Sequence, residues 1–169
     1  MVMIDLSEIL PERTSRDDEI VSDIVDEAIT ITYHRKRGKP IPFRINRYVQ
    51  RETFLIGVTI WACEGTRRRA HELEMSNSSE TVADLYMSLL RELGVDRHAR
   101  FRVQAVKDDV ESCERFWEKC LGISKIGKPI VHIKKIRENS NGIVNVRINS
   151  TILKELFEYW AYILPTLLQ

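Results

Sequence analysis

Glu64 closes an apolar run, FLIGVTIWACE over residues 54–64, and is followed by Gly65, Thr66 and then Arg67, Arg68 and Arg69. Three guanidinium groups beside a carboxylate suit phosphate chemistry, because arginine presents a planar fork of donors to phosphate oxygens. The acid's position is electrostatically unfavourable, since a helix C-terminus already carries partial negative charge. Stability alone therefore gives little reason for it, although a polar helix end leading into an arginine-decorated strand accounts for the same residues. Within the run, Thr59 and Cys63 are four apart. They share one helix face and are small enough for a second helix to approach closely. Further along, Arg102, Gln104 and Arg147 lie at outward positions of alternating segments. They are residue types that read base edges in a DNA groove, and a polar solvent face also explains them.

The elements that position these residues follow from periodicity. A helix is expected over 51–64, with Gly65 suited to the left-handed conformation that ends helices. Residues 67–75 alternate as a strand whose Leu73 and Met75 reach the core. Asn77-Ser78-Ser79-Glu80 then starts a helix with a stripe of Val82, Leu85, Tyr86, Leu89 and Leu90, closed by Gly94. Residues 99–107 predict a strand with Phe101, Val103 and Ala105 inward. Residues 109–122 predict a helix with Val110, Cys113, Phe116, Trp117 and Cys120 inward. Residues 129–137 and 142–150 predict a hairpin about Asn141-Gly142. In its second arm Val144, Val146 and Ile148 face inward. A last amphipathic helix over 151–164 is expected to stop before Pro165.

The first fifty residues read differently. Ile20, Ile24 and Ala28 fall at helical spacing within DDEIVSDIVDEAIT, residues 17–30, which predicts a short amphipathic helix. Residues 35–42, RKRGKPIP, form a basic loop that is either solvated or available to phosphates. The expected division is an acidic N-terminal extension with its basic loop over 1–50, and one main domain over 51–169.

Composition describes an ordinary globular chain of 169 residues, with a formal net charge of +1. That balance conceals an asymmetry. Residues 1–30 carry nine acidic residues against two basic ones, and residues 31–169 carry sixteen against twenty-four, or about −7 against about +8. A basic body is what a nucleic-acid partner requires. Cys63, Cys113 and Cys120 form no metal-binding or disulfide pattern, and are expected to be reduced core residues. No membrane span or signal peptide is evident, so a cytoplasmic location is expected.

The segment FLIGVTIWACEG, the strand after it, SNSSETVADLYMSLLRELGV, the Phe116-Trp117 pair before Leu121-Gly122-Ile123, and the closing hairpin and helix together resemble the LAGLIDADG group of DNA endonucleases and their non-cleaving relatives. The likeness is to the compact single-motif prokaryotic type and spans roughly residues 52–164. It implies an α+β fold in which a curved antiparallel sheet is covered by helices. The usual unit runs helix, strand pair, helix, strand pair, helix; here a helix containing Phe116 and Trp117 interrupts the second half.

The resemblance further implies a metal-dependent double-stranded DNA endonuclease acting as a homodimer. Glu64 would be the catalytic and metal-binding carboxylate for Mg²⁺ or Mn²⁺; by charge and position alone, Lys134 or Lys135 would add transition-state stabilisation. Arg67, Arg68, Arg69, Arg102, Gln104 and Arg147 would contact DNA, and Thr59 and Cys63 would form the dimer seam. The alternative on the same fold is a sequence-specific DNA-binding regulator that does not cut. A third possibility is an interaction protein that works through its acidic N-terminal segment.

Overall fold

The structure, a computed structural model, describes residues 2–33, 41–66, 71–132 and 141–168. In chain order the elements are β1 (Met3–Asp5), β2 (Ile20–Val25), β3 (Ala28–Tyr33), β4 (Ile41–Asn46), β5 (Tyr48–Gln50), α1 (Arg51–Glu64), β6 (Leu73–Asn77), α2 (Glu80–Glu92), β7 (Arg100–Val106), α3 (Val110–Leu121), β8 (Ile130–His132), β9 (Ile143–Ile148) and α4 (Thr151–Leu167). The fold is mixed α+β. Among the described residues the strands form a β1-β5 pair, a three-stranded sheet β2-β3-β4, and a four-stranded sheet ordered β6-β9-β7-β8.

The helix expected over residues 17–30 is instead the hairpin of β2 and β3, turning at Asp26-Glu27. Ile20 and Ile24 satisfy a strand's two-residue repeat as well as a helix's four-residue one. The β-branched run Ile29-Thr30-Ile31-Thr32 decides in favour of the strand. Ile29, Ile31 and Tyr33 are buried on one face, and Asp26 takes the left-handed backbone at φ 55° that the tight turn requires. Leu6, Ile29, Ile31, Ile45 and Val49 belong to the same hydrophobic core as the helices that follow.

α1 has the expected bounds and lies between α2 and α4. Its side against α4 is aromatic: Phe54 meets Trp160 edge-on at 5.2 Å between ring centroids, and Trp61 meets Phe157 at 5.7 Å. Such pairs contribute about 0.5–1.5 kcal/mol each beyond the area they bury. The Trp160 indole N–H also donates to the Ile9 carbonyl at 2.9 Å, tying the N-terminal segment to α4. Against α2 the contact is closest at Gly57, where a Cβ would come within 2.5 Å of the Leu89 side chain. Gly65 does end α1, but not in the left-handed conformation expected: its backbone is extended at φ −71° and ψ 143°. Glycine is required there for space, because a Cβ would stand 2.4 Å from the Trp61 carbonyl oxygen and 2.6 Å from its indole.

The four-stranded sheet buries Leu73, Met75, Phe101, Val103, Ala105, Val144, Val146 and Ile148 beneath the helices. It is not wholly antiparallel, because β8 runs parallel to β7. Nor do β8 and β9 pair as the expected hairpin: β9 lies between β6 and β7, and β8 takes the far edge of β7. Alternation identifies each as a strand without naming its neighbour. Gly142, at φ +71°, passes so close to β7 that a Cβ would meet the Gln104 carbonyl oxygen at 2.5 Å. α3 forms as expected and closes on Gly122 in the left-handed conformation. α4 continues through Pro165 to Leu167; in the last turn a proline forfeits only one backbone hydrogen bond. Cys113 is buried, whereas Cys63 is exposed and so is not the core residue expected.

β1 and β5 are joined at Asp5, which accepts from Arg47 through Nε and Nη2 and from the Ser7 amide and hydroxyl. The guanidinium holds the Asp5 carboxyl far below the usual carboxylate range. Because Asp5 is more acidic folded than unfolded, its contribution is complete above the unfolded value of about 3.9 and is lost as pH falls toward the folded one. Asp5→Asn should therefore destabilise most above about pH 5, with the deficit shrinking toward pH 2 in urea titrations across that range. Gly57→Ala should cost about 1–3 kcal/mol by overpacking the α1–α2 contact, read from the urea midpoint.

Candidate nucleic-acid interface

The outer face of the four-stranded sheet gathers three of the residues singled out in the sequence. Cross-strand pairing sets Arg100 opposite Arg147, Arg102 opposite Asn145 and Gln104 opposite Ile143. Arg102, Gln104 and Arg147 therefore share one face, because directly opposed residues and every second residue of a strand point the same way. β6 adds Glu74 and Ser76 to this face, and β8 adds His132. The His132 Nε2 lies 3.4 Å from the Gln104 amide oxygen.

Beside these strands is a groove of about 410 Å³ lined by Arg100, Arg102, Arg147, Lys125 and Lys128, with Ala99, Phe101 and Gly127. The two lysines arrive on the loop after α3. That loop is held against β7 by the Gly127 amide, which donates to the Phe101 carbonyl at 2.7 Å. A Cβ on Gly127 would sit 3.1 Å from that same oxygen, so glycine permits the close approach.

The charges in the groove are of two kinds. Arg147 is mostly buried and its Nη1 lies 3.3 Å from Oε1 of Glu72, itself only 6% exposed. This pairing fixes the guanidinium at the groove wall. Arg100, Arg102, Lys125 and Lys128 are exposed, and among the described residues none has an acidic partner. Four uncompensated cations around one concavity create a strongly positive potential, focused by the walls. Alongside, Asn145 is buried and donates to the Glu74 carboxylate and to the Ser76 hydroxyl, so the middle of the face is rigid and polar.

Glu64 is the last residue of α1 and is exposed. Directly after it Gly65 bridges Met75, and the Thr66 amide donates to the Glu74 carbonyl at 2.9 Å. The carboxylate thus stands where α1 joins the β6 edge of the sheet. From Gly65 to β6, β9 and β7 there are three strand spacings, roughly 14 Å. Among the described residues no three His, Cys, Asp or Glu side chains converge as a metal site. Arg67, Arg68, Arg69, Lys134 and Lys135 lie outside the described residues.

Thr59 and Cys63 are both exposed, in line along α1 with Ile56, which is 42% exposed. The Thr59 hydroxyl donates back to the Leu55 carbonyl at 2.7 Å, leaving its methyl to the surface. α1 consequently has buried sides against α2 and α4 and a third, open side made of small and apolar residues.

Arg100, Lys125 and Lys128 were not singled out in the sequence. Arg100 is one strand period from Arg102 and was legible on that ground. The two lysines belong to the loop 122–129, and only its return to β7 brings them to the groove. No family model matches the chain, and no similar protein was found among curated proteins or solved structures.

The groove's charge is testable without a ligand of known sequence. Lys125→Ala combined with Lys128→Ala should lower the salt concentration at which the protein leaves a heparin column. Lys119→Ala, on the exposed side of α3, should leave it unchanged.

Proposed function

We propose that this chain is a metal-dependent double-stranded DNA endonuclease of the LAGLIDADG homing type, acting as a homodimer. The observation that carries the reading is the outer sheet face, where Arg102, Gln104 and Arg147 share a surface with the unpaired Arg100, Lys125 and Lys128. The separation of about 14 Å between this groove and the end of α1 is comparable to the roughly 12 Å width of a B-DNA major groove. A duplex lying on the face would meet cations at β7 and a carboxylate at the β6 edge. The order of elements also supports the resemblance: α1, the Gly65–Thr66 segment with β6, α2, β7 with β9, and α4, with α3 and β8 interposed.

Each residue then has a part. Arg100, Lys125 and Lys128 neutralise phosphates and set the register of the duplex. Arg102 and Gln104 reach base edges, Arg102 toward guanine and Gln104 toward adenine. Arg147, held by Glu72, lines the same wall. Glu64 offers one oxygen-donor carboxylate per chain, a sparse set that suits Mg²⁺ or Mn²⁺, since magnesium sites commonly pair one or two carboxylates with waters and substrate phosphates. A bound ion would supply an activated water and charge neutralisation at phosphorus. The open side of α1, with Thr59 and Cys63, is the seam through which a second copy would bring its own Glu64. Lys134 and Lys135 are proposed to stabilise the transition state, and Arg67, Arg68 and Arg69 to hold the backbone beside Glu64.

A second reading is favoured by the isolation of Glu64 among the described residues: a DNA-binding regulator on the same fold that does not cut. One experiment separates the two. Incubated with a supercoiled plasmid library and Mg²⁺ or Mn²⁺, the wild type should cut, and Glu64→Gln should bind without cutting. Cutting by the variant would remove Glu64 from catalysis, and wild-type binding with no cutting would leave the regulator.

A further inference from the structure

β2 is an edge strand with an opening of defined length. It pairs with β3 on one side. On the other, residues 12–14 cover only its beginning: the Ile20 amide donates to the Glu12 carbonyl at 3.0 Å and the Thr14 amide to the Asp18 carbonyl at 2.9 Å.

The Ile20 bond fixes which main-chain groups face outward. In an antiparallel ladder every second residue turns its N–H and C=O away from the partner strand. Those residues here are Ile20, Ser22 and Ile24, paired across from Tyr33, Ile31 and Ile29. Among the described residues, the N–H and C=O groups of Ser22 and Ile24 have no partner.

Apart from Asp23, the strand carries none of the devices that edges use to prevent pairing. Val21 and Ile24 are each 43% exposed and Val25 is 55% exposed, whereas edges are commonly blunted by lysine, proline or a bulge. The surrounding charge is acidic. Residues 17–27 contain six Asp or Glu and no Lys or Arg. Two copies of this edge would repel one another, and an acidic segment would be rejected. A basic segment with apolar side chains at alternate positions complements both faces: its basic side chains lie over Asp23, with their aliphatic stems on Val21 and Val25, and its apolar ones share the face of the exposed Ile24.

We propose that the open edge of β2 takes an extended, lysine- or arginine-rich segment of another protein as an additional strand, with main-chain hydrogen bonds to Ser22 and Ile24. Affinity comes from the ladder, and selectivity from the apolar contact at Ile24 and from basic side chains lying over Asp23 between Val21 and Val25. This surface lies on the three-stranded sheet, apart from the proposed DNA face, so either assignment can fail without the other.

The test uses the full chain and the peptide Arg-Val-Lys-Val-Arg-Val-Lys-Val, with Glu-Val-Glu-Val-Glu-Val-Glu-Val as its control. Adding the basic peptide should slow hydrogen exchange at the Ser22 and Ile24 amides, and binding should weaken with salt. Ser22→Pro removes an outward N–H that β3 does not use, a position where an edge strand tolerates proline, and should weaken binding at least tenfold. Asp23→Lys, on the exposed face, should weaken it similarly and does not depend on the proline variant folding. Basic-peptide binding without protection of these two amides would reduce the effect to charge attraction and overturn the proposal. It would be overturned equally by equal binding of the acidic peptide, by no binding, or by protection without peptide accompanied by a doubled solution mass.

Discussion

The packing of α1 is the constraint on which the rest depends. Phe54 and Trp61 lock it against Trp160 and Phe157 of α4, and Gly57 allows Leu89 of α2 to press against its backbone. With two sides occupied, the helix cannot rotate without breaking an aromatic contact or opening the crossing. Its third side, with Ile56, Thr59 and Cys63, is thereby turned outward. Its last residue, Glu64, is delivered to the edge of the four-stranded sheet. Gly65 completes this: any larger residue would collide with Trp61, so the chain leaves the helix directly into the bridge with Met75.

From that junction the sheet extends β6, β9, β7 and β8, and its two faces have separate tasks. The inner face is apolar and closed by helices. The outer one is polar, and its cations collect at β7 where the Gly127 loop adds two lysines. The nearly neutral whole-chain charge is therefore a poor guide to the surface. Acidic residues gather around the N-terminal hairpin and basic ones on the sheet, giving two surfaces of opposite sign on one molecule.

Much of this was legible from residue order. The bounds of α1, the inward residues of β7 and β9, and the stop of α2 at Gly94 follow from periodicity and glycine placement. Alternation sets Arg102, Gln104 and Arg147 outward, and two strands side by side bring them together. What was not legible depends on contacts distant in sequence. Ile20 and Ile24 fit both a helix and a strand, and only pairing with β3 distinguishes them. The pattern of residues 130–132 marks a strand without showing that β7, not β9, is its neighbour. Lys125 and Lys128 look like ordinary loop residues until Gly127 is seen against Phe101.

The central claim is that the outer sheet face binds the backbone of duplex DNA. The most direct measurement is the affinity of the wild-type chain for a random-sequence 30-base-pair duplex by fluorescence anisotropy, from low to physiological salt. The three unpaired cations assigned to phosphates, Arg100, Lys125 and Lys128, contribute about −3 to the slope of log K against log salt, so replacing any one by alanine should make the slope shallower by about 1. No duplex binding even at low salt would contradict the account, as would a slope unchanged when Arg100 or Lys125 is removed.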